Sequence, residues 1–138
     1  MAWEHEILSV GNFTASANYS SASSQFRIVT STGTAFKRVA AAGGVAMGVL
    51  QDTPSSGQPG SIRVYGVTKV RILSSTRPAI VVMSKICGSS VGGAINSTAV
   101  ARYVIGRALE AKSSASTGII TMLITHEGAG STGTAAAP

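Results

Sequence analysis

Titratable chemistry is scarce in this 138-residue chain. It has one cysteine, two histidines and five carboxylates, and only 12% of its residues are charged, about half the usual share of a soluble domain. A lone cysteine cannot form an internal disulfide, and no metal-ligand spacing surrounds Cys87, so packing alone must hold the fold. Set between Ile86 and Gly88, it reads as a small buried apolar residue; a catalytic thiol would need an activating base that its neighbourhood lacks. His5 and His126 stand in the terminal regions, the acids never pair within a local motif, and no serine occupies a Gly-x-Ser-x-Gly elbow, which argues against an enzyme. Val91-Gly92-Gly93-Ala94 lacks the Gly-Lys-Ser/Thr ending of a phosphate loop and reads as a flexible connection. Aromatic residues make up 5% and do not interleave with basic ones as in single-strand-binding proteins. No cofactor and no metal is expected. No run approaches the roughly 18 consecutive apolar residues of a membrane span, and a start carrying Glu4 and Glu6 is not that of a signal peptide. The expectation is a soluble protein made in the cytoplasm.

What the chain does have is a near repeat. Gly48 recurs as Gly106 and Gly60 as Gly118, both 58 residues on. The first copy runs Val45-Ala46-Met47-Gly48-Val49-Leu50-Gln51-Asp52, then Pro54-Ser55-Ser56-Gly57, then Gly60-Ser61-Ile62-Arg63-Val64-Tyr65. The second runs Tyr103-Val104-Ile105-Gly106-Arg107-Ala108-Leu109-Glu110, then Lys112-Ser113-Ser114, then Gly118-Ile119-Ile120-Thr121-Met122-Leu123. An apolar stretch broken by one glycine, closed by an acid and followed by a Ser/Gly turn and another apolar run is a strand-turn-strand unit. Gly48 and Gly106 mark a bulge or a close backbone approach inside their strands. The fold class predicted is all-β with at most one or two short helices: a small β-barrel or sandwich built from two related units, with an extended N-terminal arm and a C-terminal tail.

Length allows one domain, divided here into an arm (1–24), a core (25–127) and a tail (128–138). The arm carries Trp3, Ile7, Leu8, Phe13 and Tyr19 without helical or strand period. Either it lies on another surface, with Trp3, Ile7, Leu8 and Phe13 as docking anchors, or it forms loops packed on its own core. Within the core, Phe26–Val29 reads as a strand closed by a turn at Gly33, and Phe36–Ala40 as a short helix stopped by Gly43. Val45–Leu50, Ser61–Tyr65 and Gly66–Leu73 read as strands, the last alternating most cleanly. Ala79–Met83, apolar on both faces, reads as a central strand, and Gly88–Ala94 as a loop. Arg102–Leu109 reads as a strand because Gly106 interrupts its helical spacing, and Ile119–Thr125 as the last strand. The Gly/Ala/Thr-rich end has the composition of a flexible tail.

The formal net charge is +6, from 11 basic and 5 acidic residues. The basic residues are scattered singly; only Arg63, Lys69 and Arg71 approach a stripe, since odd positions of an unbroken strand share a face. Three readings stay open for them: a solvated outer face, attraction to an acidic protein surface, or nucleic acid.

Ala46–Asp52, Gly57–Val64, Tyr65-Gly66-Val67-Thr68-Lys69-Val70 and Val104–Glu110, in that order, resemble the capsid cement proteins of tailed bacteriophages, also called head decoration proteins. The resemblance covers about Gln25 to Thr125, and its motifs are structural. It implies a non-enzymatic virion protein on the outer capsid surface, made in the host cytoplasm, which binds the major capsid protein and stabilises the expanded head. It also implies self-association, commonly as a homotrimer at threefold or quasi-threefold positions, without direct nucleic-acid contact. The alternatives are another phage structural subunit, a tail tube or head fibre, and a basic β-barrel that binds nucleic acid.

Overall fold

The structure, a computed structural model, describes residues 8–73, 79–97, 102–113 and 117–129. Ten strands carry the fold: β1 (Leu8–Val10), β2 (Thr14–Ala15), β3 (Ile28–Thr32), β4 (Ala35–Arg38), β5 (Gly48–Leu50), β6 (Ile62–Ile72), β7 (Lys85–Gly88), β8 (Ala94–Asn96), β9 (Tyr103–Ala108) and β10 (Gly118–Ala129). A single 3-10 turn, Ala22–Ser24, is the only helical element among the described residues. The all-β expectation holds, and the strands form one sheet in the order β2-β4-β3-β5-β6-β10-β9-β7-β8, with β1 against β6 and no closure into a barrel.

The long strand β6 joins two halves. Arg63 pairs with Ser9 of β1 on one edge and Val49 of β5 on the other, while residues 66–72 pair with β10. The break comes at Gly66, whose φ of 97° is open to glycine and strained for other residues. The two runs Ser61–Tyr65 and Gly66–Leu73 are therefore one strand, β6, serving both halves of the sheet.

Two expected elements differ. Phe36–Ala40 is not a helix: Gly33, at φ 73°, turns the chain so that Thr32 pairs with Ala35 and Ser31 with Phe36. Hairpin pairing and complete burial of Phe36 override a weak helical spacing. Ala79–Met83 is not a central strand either. Ile80 alone is buried, bridged to Lys112, while Val81, Val82 and Met83 form a turn and stay more than half exposed. The buried strand of this region is β7, which holds Ile86 and Cys87 at no exposure. The predicted 88–94 connection is also packed, since Ile28 N–H donates to the Gly92 carbonyl at 2.7 Å and a side chain on Gly93 would press on Leu73.

Strand alternation sorts the apolar residues into two clusters. The larger lies between the halves: Ile28, Val39 and Val49 meet Val70, Ile72, Ile86, Ile105, Met122 and Ile124. The smaller lies on the opposite face of the first half, where Val29, Phe36, Leu50 and Ile62 pack against Ala15 and Tyr19. Neighbours Ile28/Val29 and Val49/Leu50 thus feed different clusters, so the first half is buried on both faces.

The repeat has a geometric basis. Gly48 opens β5 where a Cβ would land on the Arg63 carbonyl oxygen; in β9 a Cβ on Gly106 would land on that of Leu123. Leu50 pairs with Ile62 and Ala108 with Met122. Gln51 N–H then donates to Ser61 O (2.8 Å) as Leu109 N–H does to Thr121 O (2.9 Å). The acid that closes each first strand accepts from the return strand: Asp52 Oδ1 from Ser61 N–H at 3.1 Å, Glu110 Oε2 from Thr121 N–H at 2.5 Å.

The first strands match 58 residues apart (50 and 108), but the return strands match 60 apart (62 and 122). This corrects the pairing of Gly60 with Gly118. Gly60 sits where a Cβ would strike the Phe36 ring, whereas Gly118, at φ 147°, abuts Lys112. Matching by glycines misses the two residues added to the second connection.

Candidate docking surfaces

From Leu8 onward the expected arm is integrated into the fold. Leu8 pairs with Tyr65, and Thr14 and Ala15 run parallel to Ala35 and Phe36. Phe13 is half-buried on the smaller cluster. Tyr19 stacks on Phe36 at 5.7 Å between ring centroids, and its hydroxyl accepts from Arg38 N–H at 3.1 Å. Scattered apolar residues without period thus found partners on a sheet face made later in the chain. Of the four proposed anchors, Phe13 is engaged internally, Leu8 remains 57% exposed, and Trp3 and Ile7 lie outside the described residues. At the other end β10 runs through Ala129, past the expected core boundary at 127; residues 130–138 of the expected tail lie outside the described residues.

Of the expected basic stripe, Arg63 pairs with β1 and β5, while Lys69 and Arg71 pair with β10. Arg63 Nη1 donates to Val67 O at 3.0 Å, and its Nε is buried without a partner. Arg71 is tied to the 22–25 segment, Nε to Gln25 O at 3.1 Å and Nη2 to Ala22 O at 3.2 Å. Lys69 alone of the three is exposed; it faces Glu110 closely enough to help hold that carboxyl below its ordinary range, after the hydrogen bonds from Thr121. Arg71 is instead grouped with Arg27 and Arg38, a neighbourhood that sequence spacing could not show.

No described residue covers the outer face of the second half. Cross-strand partners share a face, which puts Val67, Leu123, Arg107 and Lys85 in one row across β6, β10, β9 and β7. Val67 is 44% exposed, and Ile119 and Leu109 are exposed nearby. Within the row Arg107 grips Glu127 bidentately, both N···O distances 2.7 Å, and Arg107 Nη1 donates to Met83 O at 3.1 Å. Arg107, and secondarily Thr125, hold the Glu127 carboxyl below the ordinary range. This ion pair is the only one among the described residues.

His126 serves architecture. At φ 47° in a bulge of β10, it places Nε2 2.7 Å from Val64 O and Nδ1 3.0 Å from the Tyr103 hydroxyl, bridging three strands. Among the described residues no three His, Cys, Asp or Glu side chains are grouped to hold a metal ion, and no helix is long and apolar enough to cross a membrane.

The chain matches the family model for phage cement proteins over residues 15–126. That span covers both strand-turn-strand units and part of the segment folded over the first. Its fold is similar to that in the crystal structure of the head fibre gp8.5 N base of bacteriophage phi29, with a TM-score of 0.58 and 15% identity over 87% of this chain and 95% of that one. No curated protein matches the chain.

Proposed function

The chain belongs to the phage cement protein family and is a phage structural protein, and from that premise we propose that it acts without catalysis, by binding the outer surface of an expanded head. The carrying observation is the family match across both halves of the sheet. The mechanism is linkage: a subunit that binds only the expanded lattice stabilises it by RT ln(1 + [L]/Kd) per site. If three copies associate, each docked copy raises the effective concentration of the others. The bare outer face around Val67 and Leu123 and the Trp3-to-Leu8 stretch supply apolar docking area, with major capsid protein as the partner and a homotrimer as the unit. Nucleic acid has no part in this reading, and synthesis takes place in the host cytoplasm.

The test is to mix the purified protein with expanded heads that lack it and image them. A repeating layer at threefold or quasi-threefold positions, and a closed trimer by light scattering, are expected; bare heads overturn the reading. A head-fibre base is the second reading, favoured by the fold shared with the phi29 head fibre base. It would give discrete projections in place of a layer.

A further inference from the structure

Three arginines far apart in sequence converge: Arg27 and Arg38 flank the 89–93 turn, and Arg71 meets Arg27 at the 22–25 segment. Arg27 lies just before β3, Arg38 ends β4 and Arg71 is near the end of β6. Gly92 lets the turn seat between the first two, since a Cβ there would lie 2.9 Å from the Arg38 Cβ and 3.7 Å from the Arg27 Cβ. Arg27 donates from Nε to Ser23 O (2.9 Å) and from Nη1 to Val91 O (3.0 Å). With Arg71 on Ala22 O and Gln25 O, two guanidinium groups clasp the 22–24 turn and are held in fixed orientation. Each still has N–H donors to spare, because a guanidinium carries five. Arg38 is exposed, and its side chain has no hydrogen bond among the described residues.

The charges are close enough to act on one another: Arg27 holds its proton less tightly, first through burial and then through Arg38 and Arg71. No described carboxylate answers them. Asp52 and Glu110 cap the two return strands, and Glu127 is committed to Arg107. Like charges gathered without a counter-charge among the described residues disfavour the isolated fold and favour an acidic partner. Orientation by backbone carbonyls also lowers the ordering cost of binding.

We propose that Arg27, Arg38 and Arg71 form a receptor for an extended, carboxylate-rich segment of the capsid protein, with exposed Val91 as its apolar contact. The source of the segment rests on the cement reading above; the chemistry of the patch does not. Carboxylates fit better than a nucleic-acid strand. Phe26 and Tyr19, the aromatic residues nearest in sequence to Arg27, pack into the two core clusters, so they offer no stacking surface for bases.

The test measures fluorescence anisotropy of labelled octaglutamate titrated with the full chain. Arg38→Glu should weaken binding by at least about tenfold with an unchanged melting temperature. Lys37→Glu, the same charge change at an exposed position on the other face of β4, should weaken it by less than about threefold. Equal losses in the two variants would reduce the effect to net charge and overturn the proposal. So would tighter, Arg38-dependent binding of an oligothymidylate of equal charge, which would make the patch a nucleic-acid site. On expanded heads, Arg38→Glu should attach at least about tenfold more weakly. Normal attachment of a variant that has lost octaglutamate would overturn the capsid as the source. If the unmodified protein binds octaglutamate but leaves heads bare, the cement reading fails and the patch stands.

Discussion

In the first strand-turn-strand unit Val49 and Leu50 point to opposite faces and both are buried, one in each cluster. At the matching places of the second unit, Arg107 stays partly in water, paired with Glu127, and only Ala108 enters the core. Backbone geometry is common to both: the close glycine, the register and the capping acid. What differs is cover. Residues 10–19 fold over the first half and bury Phe36, Leu50 and Ile62, whereas nothing among the described residues covers Val67, Ile119 and Leu109. A repeated β unit therefore sets where main chains run without setting which face meets solvent, and the uncovered half is where a lattice partner can add burial.

The sharpest way to break this contrast is to cut apolar side chains from each half. Phe36→Ala should lower stability by about 3–5 kcal/mol in urea denaturation, while Val67→Ala should change it by less than about 0.5 kcal/mol. Comparable losses would mean that the outer face of the second half is not bare in solution. Next in size are the paired glycines. Gly48→Ala and Gly106→Ala each force a methyl group onto an opposing carbonyl oxygen and should cost about 3 kcal/mol, alike within error; Gly11→Ala, with open space around it, should be near neutral. A large difference between Gly48 and Gly106 would dissolve the structural equivalence of the two units.

A smaller effect is expected from pH. Glu110 is held below the ordinary carboxylate range chiefly by its hydrogen bonds from Thr121, and Glu127 chiefly by Arg107. A carboxylate with a lowered folded pKa contributes stability that is present above its unfolded value, about 4.3, and is lost as pH falls through the folded value. Melting temperature should therefore decline on acidification below that region, and Glu110→Gln should make the decline shallower. An unchanged acid slope would show that the second cap does not act on stability. The last test concerns the first seven residues. A chain beginning at Leu8 should attach to heads more weakly through loss of Trp3 and Ile7; full attachment would remove them from docking.

Much of the β-core was legible because its signals are local. Gly66–Leu73 alternates cleanly, and Gly106 inside an apolar run identified β9 although the helical spacing competed. Helical spacing in Phe36–Ala40 misled for the opposite reason: the pairing that decided it lies across a hairpin. Val81, Val82 and Met83 looked like a buried strand, since apolarity alone does not distinguish a core strand from an exposed turn. The stripe of Arg63, Lys69 and Arg71 rested on strand alternation alone, which does not show that Arg63 pairs with β1 and β5 while Lys69 and Arg71 pair with β10. Arg27 and Arg38 stand among scattered basic residues in the sequence, and only the meeting of β3, β4 and β6 brings them to Arg71.

By itself, then, the sequence determined the all-β class, the two related units with their glycines and closing acids, and the poverty of catalytic groups, since each rests on residues within a few positions of one another. Tertiary structure alone decided that the 10–19 segment covers the first half, that the second unit slips by two residues, and that three arginines converge. Burial depends on which distant surface is still uncovered when a segment arrives. Register depends on a connection length that matched glycines conceal, and charge clustering depends on where strands end. None of these is a property of neighbouring residues.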